Sequence, residues 1–119
     1  MRSRKATVSF VHPSEEAFAR LLDYYKIRWE YEPHTFVLRT DADGNPKECF
    51  TPDFYLPDYN LYVELTVRRA NLNRRKRRKI ALLRALRPDI QIKLMSPRDF
   101  EKLMLKYGVE RAPLATNEE

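Results

Sequence analysis

The sequence predicts one α/β domain, a mixed four-stranded sheet flanked by helices, and three observations predict it. Residues 51–66 read as a β-hairpin, because Pro57, Asp58, Tyr59 and Asn60 separate two β-prone runs. A long helical stretch over 72–86 is closed by Pro88 and followed by the strand-like Ile90 to Leu94, the pattern of a crossover between parallel strands. Apolar residues at helical spacing stand before and after these segments. With 119 residues and 43% hydrophobic content the chain can bury one core without staples, and its single Cys49 cannot form an internal disulfide.

Taken in order, residues 1–13 form an N-terminal arm or edge strand, with a β-prone patch from Thr7 to Val11. The domain spans 14–108. Ser14 is the expected N-cap of its first helix, Glu15 and Glu16 occupy the first turn, and Phe18, Leu21, Leu22 and Tyr25 set the apolar stripe. Projection at about 100° per residue turns Glu15 toward that stripe and Glu16 toward solvent. Trp29 to Pro33 leads into a strand over 35–39, and Asp41 to Pro46 reverses the chain. That turn lacks the glycine and glutamate positions of a calcium loop. Residues 35–66 are then a three-stranded antiparallel meander, Pro97 opens a last helix running to Tyr107 with Gly108 as its C-cap, and 109–119 reads as a disordered tail.

The hairpin sorts its own side chains. A loop at Asp58-Tyr59 sets Leu56 opposite Leu61, Phe54 opposite Val63, Pro52 opposite Leu65 and Phe50 opposite Val67 on one apolar side. The other side pairs Tyr55 with Tyr62, Asp53 with Glu64 and Thr51 with Thr66. Opposed carboxylates repel, so a shared proton, a basic side chain or a divalent cation such as Mg²⁺ or Mn²⁺ must offset them. Tyr55 and Tyr62 are open to two readings, stacking on bases or packing under a helix.

The net charge of +6 favours a polyanionic partner, and its excess is local. Arg68, Arg69, Arg74, Arg75, Lys76, Arg77, Arg78 and Lys79 stand together with no acidic residue among them. On the 72–86 helix, projection aligns Lys76 and Lys79 with Leu72, Ile80, Leu83 and Leu86, and turns Arg74, Arg77 and Arg78 outward. The lysines either reach the carboxylate pair or extend along the stripe to water. The arginines are either a solvated face or phosphate ligands. No apolar run approaches a membrane span and no secretory signal precedes the domain, so a cytoplasmic setting without membrane contact is expected.

Pro52-Asp53, Glu64-Leu65-Thr66 on the next strand, an upstream helix bearing Glu15 and the element order over 13–107 together resemble the PD-(D/E)xK, restriction-endonuclease-like nuclease superfamily. The resemblance implies an αβββαβ core and a Mg²⁺- or Mn²⁺-dependent endonuclease acting on DNA, with RNA also open. It implies metal ligation by Asp53, Glu64, the Leu65 carbonyl and Glu15. Thr66 departs from the pattern, since it stands where the family has lysine, and a hydroxyl brings no positive charge. In some branches the following helix supplies that lysine, which points to Lys76, with Lys79 as runner-up. Arg68, Arg69, Arg74, Arg75, Arg77 and Arg78 would contact nucleic acid, and cutting two strands would take a homodimer. The alternative is a non-catalytic nucleic-acid-binding or interaction module on the same fold.

Overall fold

A strand reading Leu61-Tyr62-Val63-Glu64-Leu65 sends its side chains alternately to two faces, and here both faces are covered. The computed structural model describes residues 8–107. Its elements are α1 (Pro13–Tyr24), β1 (Glu30–Tyr31), β2 (Phe36–Thr40), β3 (Pro46–Phe50), β4 (Phe54–Leu56), β5 (Leu61–Leu65), α2 (Ala70–Leu86), β6 (Ile92–Met95) and α3 (Pro97–Tyr107). Strands β1-β4-β5-β6 form a mixed four-stranded sheet, antiparallel up to β5 and parallel between β5 and β6.

The expected hairpin register holds where the ladder forms, with Phe54 opposite Val63, Tyr55 opposite Tyr62 and Leu56 opposite Leu61. A short 3₁₀ turn, Pro57–Tyr59, and a left-handed Asn60 make the connection. Phe54, Leu56, Val63 and Leu65 face Phe18, Ala19 and Leu22 of α1 and Phe100 of α3. Tyr62 and Ile92 face Ile80 and Leu83 of α2, with Leu38 and Phe50 closing that second core. Tyr62 therefore packs under a helix, its ring 4.5 Å from that of Tyr55.

Several expectations are corrected. The three-stranded meander does not form: β2 and β3 pair with each other in a separate two-stranded sheet, and the two-residue β1 takes the place beside β4. The cause lies at Thr51-Pro52-Asp53, which is not strand. Pro52 has no N–H to give a ladder, and the chain there passes from one sheet to the other. Phe50 consequently belongs to the core under α2 instead of the side shared by Phe54 and Val63. Residues 8–11 are not a strand, although Val8 and Phe10 pack on the core; Thr7 and the rest of the arm, Gly108 and the 109–119 tail lie outside the described residues. Leu86 is exposed, so the apolar stripe of α2 ends at Leu83.

Helix α1 is capped by His12 and not by Ser14. The His12 ring accepts the Ser14 N–H, while the Glu15 carboxylate accepts the His12 N–H, a reciprocal box with Pro13 at the first position. At the other end Ile27 N–H donates to Leu22 O at 2.9 Å and Lys26 N–H to Asp23 O at 3.0 Å, with Ile27 and Leu22 both buried. This is a Schellman closure, and it puts Lys26 at φ 60°, a left-handed position that normally falls to glycine. Lys26→Gly should therefore raise the unfolding free energy by about 0.5–1 kcal/mol in urea titrations; a loss of stability would contradict this account of the closure.

Candidate metal centre

Among the described residues, three charged side chains are buried: Glu15, Asp53 and Glu64, at 8%, 7% and 5% exposure. Burying an ion is costly unless hydrogen bonds and opposite charge compensate, so each must be held by something. Asp53 and Glu64 each accept a backbone N–H from across the junction. The Asp53 N–H donates to Glu64 Oε1 at 3.0 Å, and the Leu65 N–H donates to Asp53 Oδ2 at 2.9 Å. These side-chain bonds replace the strand pairing one residue beyond the last ladder pair, Phe54 with Val63. They bring both carboxylates to the mouth of the β4–β5 junction.

Lys76 reaches that junction from the first half of α2. Its Nζ lies 3.0 Å from Glu64 Oε2 and donates to the Leu65 carbonyl at 2.6 Å. What aims it is the start of the helix. Asn73 accepts the Val67 N–H at 2.9 Å and donates back to the Val67 carbonyl at 2.8 Å, which fixes the turn between β5 and α2. Lys79, one turn nearer than Leu83, goes elsewhere and donates to the Cys49 carbonyl on β3 at 3.2 Å. Thr66 has no charge to offer and uses its backbone N–H on the Met95 carbonyl.

Glu15 approaches Asp53 from the α1 side. Its Oε1 accepts the Tyr31 hydroxyl at 2.6 Å and the N–H groups of Val11 and His12 at 3.0 and 3.3 Å. Burial, and then the bond to Glu15, raise the Tyr31 phenol well above its ordinary range, so the hydroxyl keeps its proton and remains a donor. Glu16 points to solvent and pairs with Arg20 at 2.8 Å.

A further carboxylate joins the group. Glu32 takes φ 46°, its N–H donates to the Asp53 carbonyl at 2.9 Å, and ligand atoms of Glu15, Glu32 and Asp53 all lie within 4.8 Å of one another. Glu32 is exposed and sits in a turn that no periodicity marks, so helix and strand patterns pass over it. Its place before Pro33 predicts extended backbone instead of the left-handed turn observed, so no signal in the sequence marks it.

Burial pushes the carboxyl of Asp53 up, and the neighbouring Glu64 carboxylate pushes it further; the Leu65 N–H and Lys76 counteract this in part. Glu64 is also raised by burial, against the pull of Lys76 and of the Asp53 N–H. The ligand atoms grouped within 4.8 Å among the described residues are those of Glu15, Glu32 and Asp53, while Glu64 Oε2 and the Leu65 carbonyl meet at Lys76 Nζ; all are hard oxygens, the donor type that Mg²⁺ or Mn²⁺ takes and soft metals do not.

The basic block divides on the surface. Arg78 makes a two-pronged ion pair with Glu48 on β3 at 2.8 and 3.1 Å, and Glu48 also takes Arg39, which holds its carboxyl well below the usual range. The side chains of Arg68, Arg69, Arg74, Arg75 and Arg77 are exposed and have no ion pair among the described residues. No helix among the described residues is long and apolar enough to cross a membrane. Neither family models, nor curated proteins, nor solved structures gave a match to this chain.

Because both carboxyls have raised pKa values, the folded chain holds protons that the unfolded chain releases at about pH 4. The folded state therefore loses stability as pH rises from the ordinary carboxylate range toward neutrality. Thermal unfolding of the metal-free protein followed from about pH 4 to about pH 8 should show that decline. In Asp53→Asn, whose amide oxygen can still accept the Leu65 N–H, the curve should flatten and the neutral-pH midpoint rise by about 2–5 °C. A midpoint that falls in the variant would contradict a buried like-charge pair.

Proposed function

We propose that the chain is a divalent-metal-dependent nuclease with a restriction-endonuclease-like core, cleaving phosphodiester bonds in DNA. The observation that carries this is the convergence of the buried Asp53 and Glu64 with Lys76, an inward lysine on a helix otherwise rich in outward arginines. The order α1, β1, β4, β5, α2, β6 supports the αβββαβ core, with β2–β3 as an insertion between its first two strands.

Asp53 and Glu64 supply carboxylate oxygens, and the Leu65 carbonyl stands near the Glu64 carboxylate, since Lys76 Nζ reaches both. When bound, Mg²⁺ or Mn²⁺ at these oxygens would neutralise the carboxylate charge, polarise a phosphate oxygen and acidify water. Glu15, fixed by Tyr31 and the N-terminal backbone, brings a further carboxylate to the same side of Asp53 as Glu32. Lys76 supplies positive charge within reach of the phosphate and the attacking water.

The N-terminal end of α2 supports an anionic partner. It has no acidic residue in its first turn, no side-chain cap, and Arg68, Arg69, Arg74 and Arg75 around the positive end of the helix dipole. That arrangement is unfavourable in isolation, and phosphates would offset it. Arg77 extends the same face, and a homodimer would present two sites to a duplex. A non-catalytic module on the same fold is the second reading. It is favoured by one observation, that Lys76 already satisfies both Glu64 Oε2 and the Leu65 carbonyl as a structural ion pair would.

Plasmid, single-stranded and branched DNA and RNA, incubated with Mg²⁺ or Mn²⁺, separate the two. Cleavage should fall by about a hundredfold or more in Asp53→Asn, Glu64→Gln and Lys76→Ala. Arg74, Arg75 and Arg77 changed together to alanine should mainly weaken binding and flatten its salt dependence. Intact substrates throughout, or cleavage unchanged in the carboxylate variants, would contradict the nuclease reading.

A further inference from the structure

Lys76 Nζ bonds the very atoms, Glu64 Oε2 and Leu65 O, that with Asp53 would form one side of the proposed cation shell. An ammonium donates to these oxygens at about 2.6–3.0 Å and a divalent cation of the Mg²⁺ class would bind oxygen at about 2.0–2.1 Å, so the two positive charges would compete for the same two oxygens. We infer that the Lys76 ammonium is a built-in stand-in for the metal: it occupies the cation seat at Glu64 and Leu65, and a divalent cation binds there by displacing it.

This rests on the metal reading above and adds a regulation to it. The displacement has a direction, because Lys76 lies on a helix whose exposed face carries arginines without an ion pair among the described residues, and its own side chain is partly exposed. Released from Glu64, the ammonium can move toward a phosphate held by those arginines. One group would thus serve two states in turn. Without metal it offsets the buried carboxylates, and with metal it becomes available to the substrate. The cost is competition: the metal must be present at a concentration that overcomes an internal cation, so affinity for metal alone is weak and substrate phosphate strengthens it by giving Lys76 a new partner.

The exchange has a readout other than cleavage. In wild-type protein carrying ¹⁵N-labelled lysine, the Lys76 Nζ resonance, assigned by its loss in Lys76→Met, should be that of a hydrogen-bonded, slowly exchanging ammonium. Saturating Mg²⁺ should move it to the position of solvent-exchanging lysines. Calorimetry should show Lys76→Met binding Mg²⁺ about tenfold or more tightly than wild type, while Lys79→Met, which removes an equal charge from the same helix, changes affinity by about twofold or less. Mg²⁺ binding that leaves the Lys76 resonance in place would overturn the exchange, as would equal gains in both variants. Failure of both wild type and Lys76→Met to bind Mg²⁺ would overturn the underlying metal reading as well. If Lys76→Met fails to fold, the loss of the same resonance in Lys76→Arg supplies the assignment, and the wild-type spectrum with and without Mg²⁺ decides the matter.

Discussion

Asp53 and Glu64 are buried side by side where the chain crosses from the β2–β3 hairpin into the main sheet, and that constraint organises its surroundings. Burial raises the pKa of both carboxyls and Glu64 raises that of Asp53 further, which destabilises the ionised fold unless a positive charge stands by. The backbone accommodates them by giving up strand pairing: the N–H groups of Asp53 and Leu65, which a longer ladder would have used, go to carboxylate oxygens. The Asn73 clamp then starts α2 so that Lys76 arrives over the pair.

The rest of the architecture serves to wall this junction in. Phe54 and Val63 below it are fully buried against α1 and α3, and Tyr62 and Ile80 cover the opposite face. A shift of β4 by one residue would exchange its faces and turn Asp53 into the apolar core beneath α1, away from Glu64 on β5, so register and site chemistry are a single constraint. Stability and proposed activity pull against each other here, since replacing the like charges would steady the fold and remove the chemistry.

Much of this was legible in the residues. Alternation fixed which side chains of 54–65 share a face, and helical projection separated Glu15 from Glu16 and turned Lys76 inward. What was not legible depended on non-periodic backbone. Pro52 ends a strand that propensity would continue, so the three-stranded meander was expected where a hairpin stands apart. Glu32 reaches Asp53 through a left-handed turn, and His12 takes the capping role expected of Ser14. Lys79 and Arg78 follow projection roughly but are captured by β3, whose position beside α2 no local pattern encodes.

The measurement closest to the central claim is the thermal unfolding midpoint of the wild-type chain across pH, with and without Mn²⁺. Buried carboxylates that await a cation predict that Mn²⁺ raises the midpoint, with a gain that grows as pH rises and protons cease to compete for the same oxygens. The same gain should be absent in Glu64→Gln. A midpoint indifferent to Mn²⁺ at every pH would contradict the account, leaving Asp53, Glu64 and Lys76 as a structural ion cluster.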